Sequence, residues 1–243
     1  MKNLVVLASA IPAARALVGN DWEFSGAPSS GLADVTFPLN IANAPHKEGY
    51  YFAQQFGFHN GGDVGYTGLQ PRPDSSDGSS NIHAAFSSFI EGTTSSDSNC
   101  SDGADGGSGV SCATDFQDTY ADTYNLVVEN VGGTTWKGTV VNTVSGNQYH
   151  IGQYTLPSNY GNINSTEVGF VEYYPWNGQA SHQCSETPIT EVTFGNPTSN
   201  SGGTGKVDKP YEYGDCIGKV QFETTQTSNG WNIKLGYPNG DGS

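Results

Sequence analysis

The chain has 243 residues, with 9 Lys and Arg against 24 Asp and Glu, a formal net charge of −15 at pH 7 and only 14% charged side chains. A surface this acidic repels phosphate backbones and anionic headgroups, which excludes nucleic acid and membranes as partners. The length suits one large β domain, and no linker divides it.

Met1-Lys2-Asn3, the apolar run Leu4 to Ala14 and the triplet Ala14-Arg15-Ala16 follow the order of a secretory signal peptide. Residues 1–16 are therefore expected to leave on export, and 17–243 to form a single domain. No later run approaches the ~20 apolar residues of a membrane span, so the mature protein is expected to be secreted and extracellular. Cys100, Cys112, Cys184 and Cys216 imply disulfides, and three pairings are possible. Sequence proximity favours Cys100–Cys112 and Cys184–Cys216. The cysteines lack the paired C-x2-C spacing of a zinc site, and no metal or cofactor is implied. Asn164-Ser165-Thr166 is an N-glycosylation sequon.

Trp22 to Asn40 reads as a lead-in segment, with a short strand over Ala33 to Leu39 cut by Pro38. Tyr50 to Phe58 alternates strictly: Tyr50, Phe52, Gln54, Phe56 and Phe58 share one face, and Tyr51, Ala53, Gln55, Gly57 and His59 the other. Asn60-Gly61-Gly62-Asp63 supplies a tight reversal, and Val64 to Gln70 is the return strand, ended by Pro71. One face of this hairpin suits a core, while Tyr51, Gln55, His59, Tyr66, Gln70 and Arg72 give the other a mixture that a core would not select.

Ile82 to Glu91 returns to strand pattern, with Ala84, Phe86, Ser88 and Ile90 facing the core. Gly92 to Asp115 is a Ser, Gly, Asp and Thr excursion lacking the ligand order of an EF-hand, and it reads as a solvated loop. Tyr124 to Asn130, Thr134 to Asn142 and Gln148 to Leu156 form an antiparallel meander. Glu167 to Trp176 sets Val168, Phe170, Glu172 and Tyr174 on one face and Gly169, Val171 and Tyr173 on the other. The turn Pro175-Trp176-Asn177-Gly178 should leave the indole near the surface. Pro188 to Phe194, Lys219 to Thr225 and the Asn229-Gly230 hairpin complete the pattern. With no amphipathic helix of ten or more residues and no repeat, the expected fold is an antiparallel β-sandwich of jelly-roll, concanavalin-like type, with its ligand on a concave sheet face.

The aromatic strand Tyr50–Phe58, its return Gly65-Tyr66-Thr67-Gly68-Leu69-Gln70, the strand Ala85-Phe86-Ser87-Ser88-Phe89 and the segments Trp136-Lys137-Gly138, Ile151-Gly152 and Phe170-Val171-Glu172-Tyr173-Tyr174 resemble the secreted bacterial and fungal family called domain of unknown function 3472. The resemblance spans most of residues 50 to 195. It implies a concanavalin-like or jelly-roll β domain of the kind found beside carbohydrate-active modules, and it brings no catalytic residues with it.

Zinc protease, α/β-hydrolase, P-loop and dinucleotide motifs are absent, as is the E-x-D-x-x-E of sandwich glucanases. The five histidines stand singly, and His59, at the end of the aromatic strand, is the foremost of them. Glu91 and Glu172 lie on predicted strands beside aromatics that would desolvate them, so they are the candidate acid and base pair. Behind Glu172, His59 and Asp63 are the next candidates. Tyr51, Tyr66, Tyr173 and Trp176 are candidates for stacking on sugar rings, with Gln55, Gln70 and Arg72 for bonding hydroxyls. These features point to a monomer binding a polysaccharide or oligosaccharide, neutral or weakly basic and of cell-wall type. The alternatives are a glycoside hydrolase using a carboxylate pair, or a secreted effector that meets another protein.

Overall fold

The computed structural model describes residues 16–177 and 179–242. Residues 1–15 of the expected leader lie outside them. In chain order the strands are β1 (Ala16–Glu23), β2 (Asp34–Asn40), β3 (Tyr50–Gly57), β4 (Val64–Pro71), β5 (Asn81–Ser88), β6 (Cys100–Asp102), β7 (Val110–Gln117), β8 (Thr123–Gly132), β9 (Thr135–Asn142) and β10 (Gln148–Thr155). There follow β11 (Thr166–Tyr173), β12 (Thr190–Gly195), the two-residue strands β13 (Thr198–Ser199), β14 (Gly203–Thr204), β15 (Lys206–Val207) and β16 (Tyr211–Glu212), and finally β17 (Phe222–Thr227) and β18 (Gly230–Leu235). Helical structure among the described residues is confined to single 3-10 turns at Tyr174–Trp176, Cys184–Glu186 and Gly214–Cys216.

Two antiparallel sheets pack as a sandwich. The first runs β15-β1-β11-β3-β4-β5-β7-β6, with β16 also on β1; the second runs β10-β9-β8-β2-β12-β18-β17, with β13 and β14 added at β2. Alternation decides which side chains fill the space between them. Tyr50, Phe52, Gln54, Phe56 and Phe58 all point inward and are buried. Phe86 stacks on Tyr154 at 4.4 Å, Phe58 meets Trp136 at 5.1 Å and Trp22 meets Phe37 at 5.2 Å, each pair joining one sheet to the other. Pairs in such geometry add about 0.5–1.5 kcal/mol each beyond their buried area.

Both expected disulfides are present, Cys100–Cys112 and Cys184–Cys216. The first ties β6 to β7 and packs against Gly152 of β10, where an added Cβ would lie 2.4 Å from the Cys112 Cβ. The structure corrects three expectations. The stretch Gly92 to Asp115 is not a solvated loop throughout, since β6 and most of β7 fall within it and β7 pairs with β5 from Asn81↔Gln117 to Ser88↔Val110. The chain enters the first sheet ahead of the expected lead-in: β1 pairs with β11 from Ala16↔Glu172 to Glu23↔Thr166 and takes in Trp22 and Glu23 of that segment, while β2 supplies the strand expected over Ala33 to Leu39. The β1 pattern BBBBBeBe is buried almost throughout, so it shows little of the alternation that marks a strand in sequence. The Trp176 indole is fully buried, donating from Nε1 to the Gly242 carbonyl at 2.9 Å and stacking on His182, because the 3-10 turn after β11 rolls it inward.

The sheets also meet closely where Phe86 lies on Gly138, whose missing Cβ would sit 2.6 Å from the Phe86 ring. Gly138→Ala is therefore expected to destabilise by about 1–3 kcal/mol through overpacking, read as a lower urea midpoint with the slope unchanged. An unchanged midpoint would mean that the sheets part there at little cost.

Candidate functional site

Residues directly opposite on antiparallel strands share a face, so the ladders assemble the outer face of the first sheet in rows. One row begins with Glu172↔Tyr51 between β11 and β3 and continues with Gln70↔His83 and His83↔Asp115 across β4, β5 and β7. Tyr51 and Gln70 each stand one step beyond the Phe52↔Leu69 pair, which joins the two halves. The next row starts at Phe170 and is small from there on, with Ala53, Gly68, Ala85 and Ala113. The row beyond it holds Gln55, Tyr66, Ser87 and Ser111. Small residues between taller polar banks leave a groove of about 370 Å³, with Ala85 and Ala113 on its floor. Glu172, Tyr174 and Asn177 close one end, and Asp105 reaches over it from the loop between β6 and β7. This is the convergence that a ligand site requires.

Glu172 is 6% exposed, with Phe170 and Tyr174 flanking it on the same face. Burial pushes its carboxyl above the ordinary carboxylate range; the Asn177 hydrogen bond opposes this, and the nearby Asp105 charge adds to it. Asn177 Nδ2 donates to Glu172 Oε1 at 2.6 Å. The sequence brings this amide back over the strand because the Tyr174–Trp176 turn, with Pro175 at its start, reverses the chain at once. Among the described residues Oε2 accepts no hydrogen bond. The carboxyl is thus oriented by one oxygen and presents the other to the groove.

Gln70 is oriented in a matching way. Arg72 Nη2 donates to Gln70 Oε1 at 2.9 Å, and since a guanidinium only donates, the amide oxygen must face it and Nε2 must face away. Arg72 is itself held by the Pro71 carbonyl at 3.1 Å and the Tyr174 hydroxyl at 3.4 Å, with Glu48 at 3.9 Å. His83 Nδ1 contacts Asp115 Oδ1 at 2.7 Å. Burial lowers the His83 pKa, while Asp115 pulls it up and the Arg72 charge presses it down. Asp105 has a left-handed backbone at φ 48°, and partial desolvation raises its carboxyl. Tyr51 and Tyr66 meet Phe170 edge-on at 5.7 and 5.1 Å, and the Tyr66 phenol is pushed up to about 12, first by burial and then by the surrounding carboxylates.

Of the residues singled out from sequence, Glu172, Tyr51, Tyr66 and Gln70 come together in this groove, and Arg72 supports it from behind. Four do not. Glu91 is exposed in the turn after β5, where the chain reverses at Gly92 with φ 82°, so it cannot partner Glu172. Tyr173 points into the core against Tyr50 and Trp176, as its parity opposite to Glu172 requires, and Trp176 is buried beside it. His59 is half-buried at one end of the sandwich, its N–H on the Asn162 carbonyl at 2.8 Å and its Cβ against Gly161. Gln55 lies beyond the groove, bonded to Glu167 Oε2 at 2.8 Å. Sequence reasoning missed Asn177, His83, Asp105 and Asp115. For His83 the alternation of β5 was signal enough, since it shares a face with Ala85 and Ser87.

No protein-family model matches the chain, and no curated relative does. Among solved structures it is similar to scytalido-glutamic peptidase with a transition-state analogue inhibitor, at 12% identity and a TM-score of 0.47, covering 92% of this chain and 99% of that one. A second structure of scytalido-glutamic peptidase, with a peptide-based transition-state analogue, gives 12% and 0.45 at the same coverage. SCP-B, a member of the Eqolisin family of peptidases in complex with the tripeptide Ala-Ile-His, gives 11% and 0.41, covering 92% and 99%. At such scores the likeness extends to no particular side chain.

A carboxyl whose pKa is raised in the folded state binds its proton more tightly there than in the unfolded chain. Its contribution to stability is complete below the unfolded value of about 4.3 and is lost as pH rises through the folded value. Glu172→Gln keeps the acceptor for Asn177 and removes this loss. The variant should therefore match the wild type in thermal midpoint at pH 3.5 and exceed it at pH 7. A difference that is constant with pH would show that Glu172 ionises as an ordinary carboxyl.

Proposed function

We propose that the groove is the active site of an exported hydrolase that cleaves peptide bonds, with Glu172 activating water and Gln70 stabilising the oxyanion. The observation that carries this reading is the paired orientation on one sheet face: Asn177 fixes one oxygen of a buried carboxyl, and Arg72 turns the Gln70 amide so that its N–H groups face the groove. In the reaction, ionised Glu172 takes a proton from water as the water oxygen bonds to the substrate carbonyl carbon. The carbonyl oxygen becomes an oxyanion that accepts from Gln70 Nε2. The carbon–nitrogen bond then breaks, and the proton on Glu172 passes to the leaving amine, which restores the carboxylate. A fixed donor opposite a carboxyl suits acyl chemistry, because a tetrahedral oxyanion forms there and none forms in glycoside cleavage.

The two disulfides suit an oxidising compartment, and no described cysteine is free.

Asp105 favours a second reading. It is another carboxyl over the same groove, close enough to raise Glu172, and glycoside hydrolysis needs two carboxyl groups, one on each side of the bond. The sugar-ring platform would then be Tyr51 and Tyr66, and the polysaccharide expected from the sequence would be the substrate.

Incubation with a denatured protein and with a polysaccharide panel separates the two, by new amino termini in one case and reducing ends in the other. Peptide cleavage is expected, and Glu172→Gln should lower kcat by ~10²-fold or more. Gln70→Ala should lower it by about 10²–10³-fold with little change in KM, as removal of an oxyanion donor does. In the pH profile of kcat/KM, the acid limb reports the Glu172 proton. Because the Asp105 charge raises that pKa, Asp105→Asn should move the limb to lower pH. Reducing ends without new amino termini would transfer the proposal to the second reading, and neither product would end both.

A further inference from the structure

Beyond the Tyr51, Phe170 and Tyr66 cluster, the same sheet face sinks into a second hollow of about 310 Å³. Tyr66 lines both cavities. The floor is apolar, made by Val168 and Phe170 with Ala16 of β1 beside them, and its far wall is the pair Tyr211 and Tyr213. These tyrosines are 40% and 50% exposed, two of only five large hydrophobic side chains exposed among the described residues. The wall is nonetheless built rigidly. β16 pairs with β1 at Gly19↔Tyr211, the Tyr211 ring lies on Gly19 with no room for a Cβ at 2.8 Å, and its hydroxyl donates to Asp21 Oδ1 at 3.2 Å. Tyr213 N–H donates to the Leu17 carbonyl at 2.9 Å. Gln55 also lines the hollow, its amide held by the Nε2 hydrogen bond to Glu167 Oε2.

We infer that this hollow is the specificity pocket of the enzyme and takes one large apolar side chain, aromatic or branched aliphatic, of an extended peptide substrate. The inference rests on the peptidase reading of the neighbouring groove. Spacing carries it. Phe170 is two residues from Glu172 on β11, and alternate residues of an extended strand lie about 6.6–6.8 Å apart on one face. A bound extended peptide has the same repeat, so a scissile bond at Glu172 places a side chain one or two residues away over Phe170. A largely apolar, preformed hollow is the kind of site that selects by size and apolarity. The exposed tyrosines are then explained, since a wall that must meet substrate cannot be covered.

The test is a cleavage profile over a peptide library. Wild type is expected to require Phe, Tyr, Trp, Leu or Met at one position within two residues of the cut. Val168→Trp, which fills the floor, should lower kcat/KM for a Phe-containing peptide roughly tenfold or more while leaving its Ala counterpart nearly unchanged, the discrimination that a filled or missing apolar pocket gives. Tyr213→Ala opens the exposed wall without touching the core and should weaken the same preference should the tryptophan variant fold poorly. A flat profile, or one that neither variant alters, overturns the inference. An independent measurement uses N-acetyl-phenylalanine amide with Glu172→Gln: NMR shifts at Tyr211, Tyr213 and Phe170 support the pocket even where no peptide is cleaved, and shifts absent there but present for a sugar probe overturn it.

Discussion

The period of two in an extended chain is the constraint on which this molecule depends. On β3 it sends Tyr50, Phe52, Gln54, Phe56 and Phe58 between the sheets, and the same alternation sends Tyr51, Ala53 and Gln55 outward. On β11 it separates Tyr173 in the core from Glu172 in the groove by one residue. A slip of one residue in the β11 to β3 ladder would carry Glu172 into the aromatic core and put Tyr173 into the groove. The core therefore fixes the chemistry as well as the stability: Phe86 on Tyr154 and Phe58 on Trp136 hold the register that aligns Glu172, Tyr51, Gln70 and His83 across four strands.

Burial then gives the row its electrostatic character. Glu172 is desolvated by the residues that form the end of the groove, and Asp105 arrives on a glycine-rich loop whose Gly103, Gly106 and Gly109 all have positive φ. Gly109 packs so closely under Ser88 that an added Cβ would lie 1.8 Å from its carbonyl oxygen. That fit anchors the loop on the sheet and explains how a stretch of solvated composition comes to carry a functional carboxyl. Both groups that orient the site are products of local chain reversals: Asn177 follows the 3-10 turn after β11, and Arg72 follows the end of β4 at Pro71.

Much of this was legible in the sequence. The sandwich, the hairpin of β3 and β4, the meander of β8, β9 and β10, both disulfides and the facing of Glu172 followed from alternation, turn residues and cysteine spacing. What was missed has physical causes. β1 is buried on nearly every residue, so its pattern lacks a wet face to alternate with. Glu91 keeps parity with a strand that ends at Ser88, because the turn from Ile90 to Thr93, with the Thr93 N–H on the Ile90 carbonyl and Gly92 at φ 82°, carries the glutamate off the sheet. Trp176 was assigned to the surface from its turn composition, but tertiary packing against His182 and Gly242 decides the matter. Asn177 and Asp105 meet Glu172 through turns and loops, and no periodicity encodes where a loop comes to rest.

The chemistry of the groove turns on Glu172, a buried carboxyl held by Asn177 whose proton affinity burial and Asp105 raise. Its ionisation is directly measurable by NMR titration of side-chain carboxyl carbons, with Glu172 assigned by loss of its resonance in Glu172→Gln. A midpoint above the ordinary glutamate value of about 4.3 is expected, falling towards it when Asp105 is replaced by Asn. A midpoint at or below that value, indifferent to Asp105, would contradict this reading of Glu172.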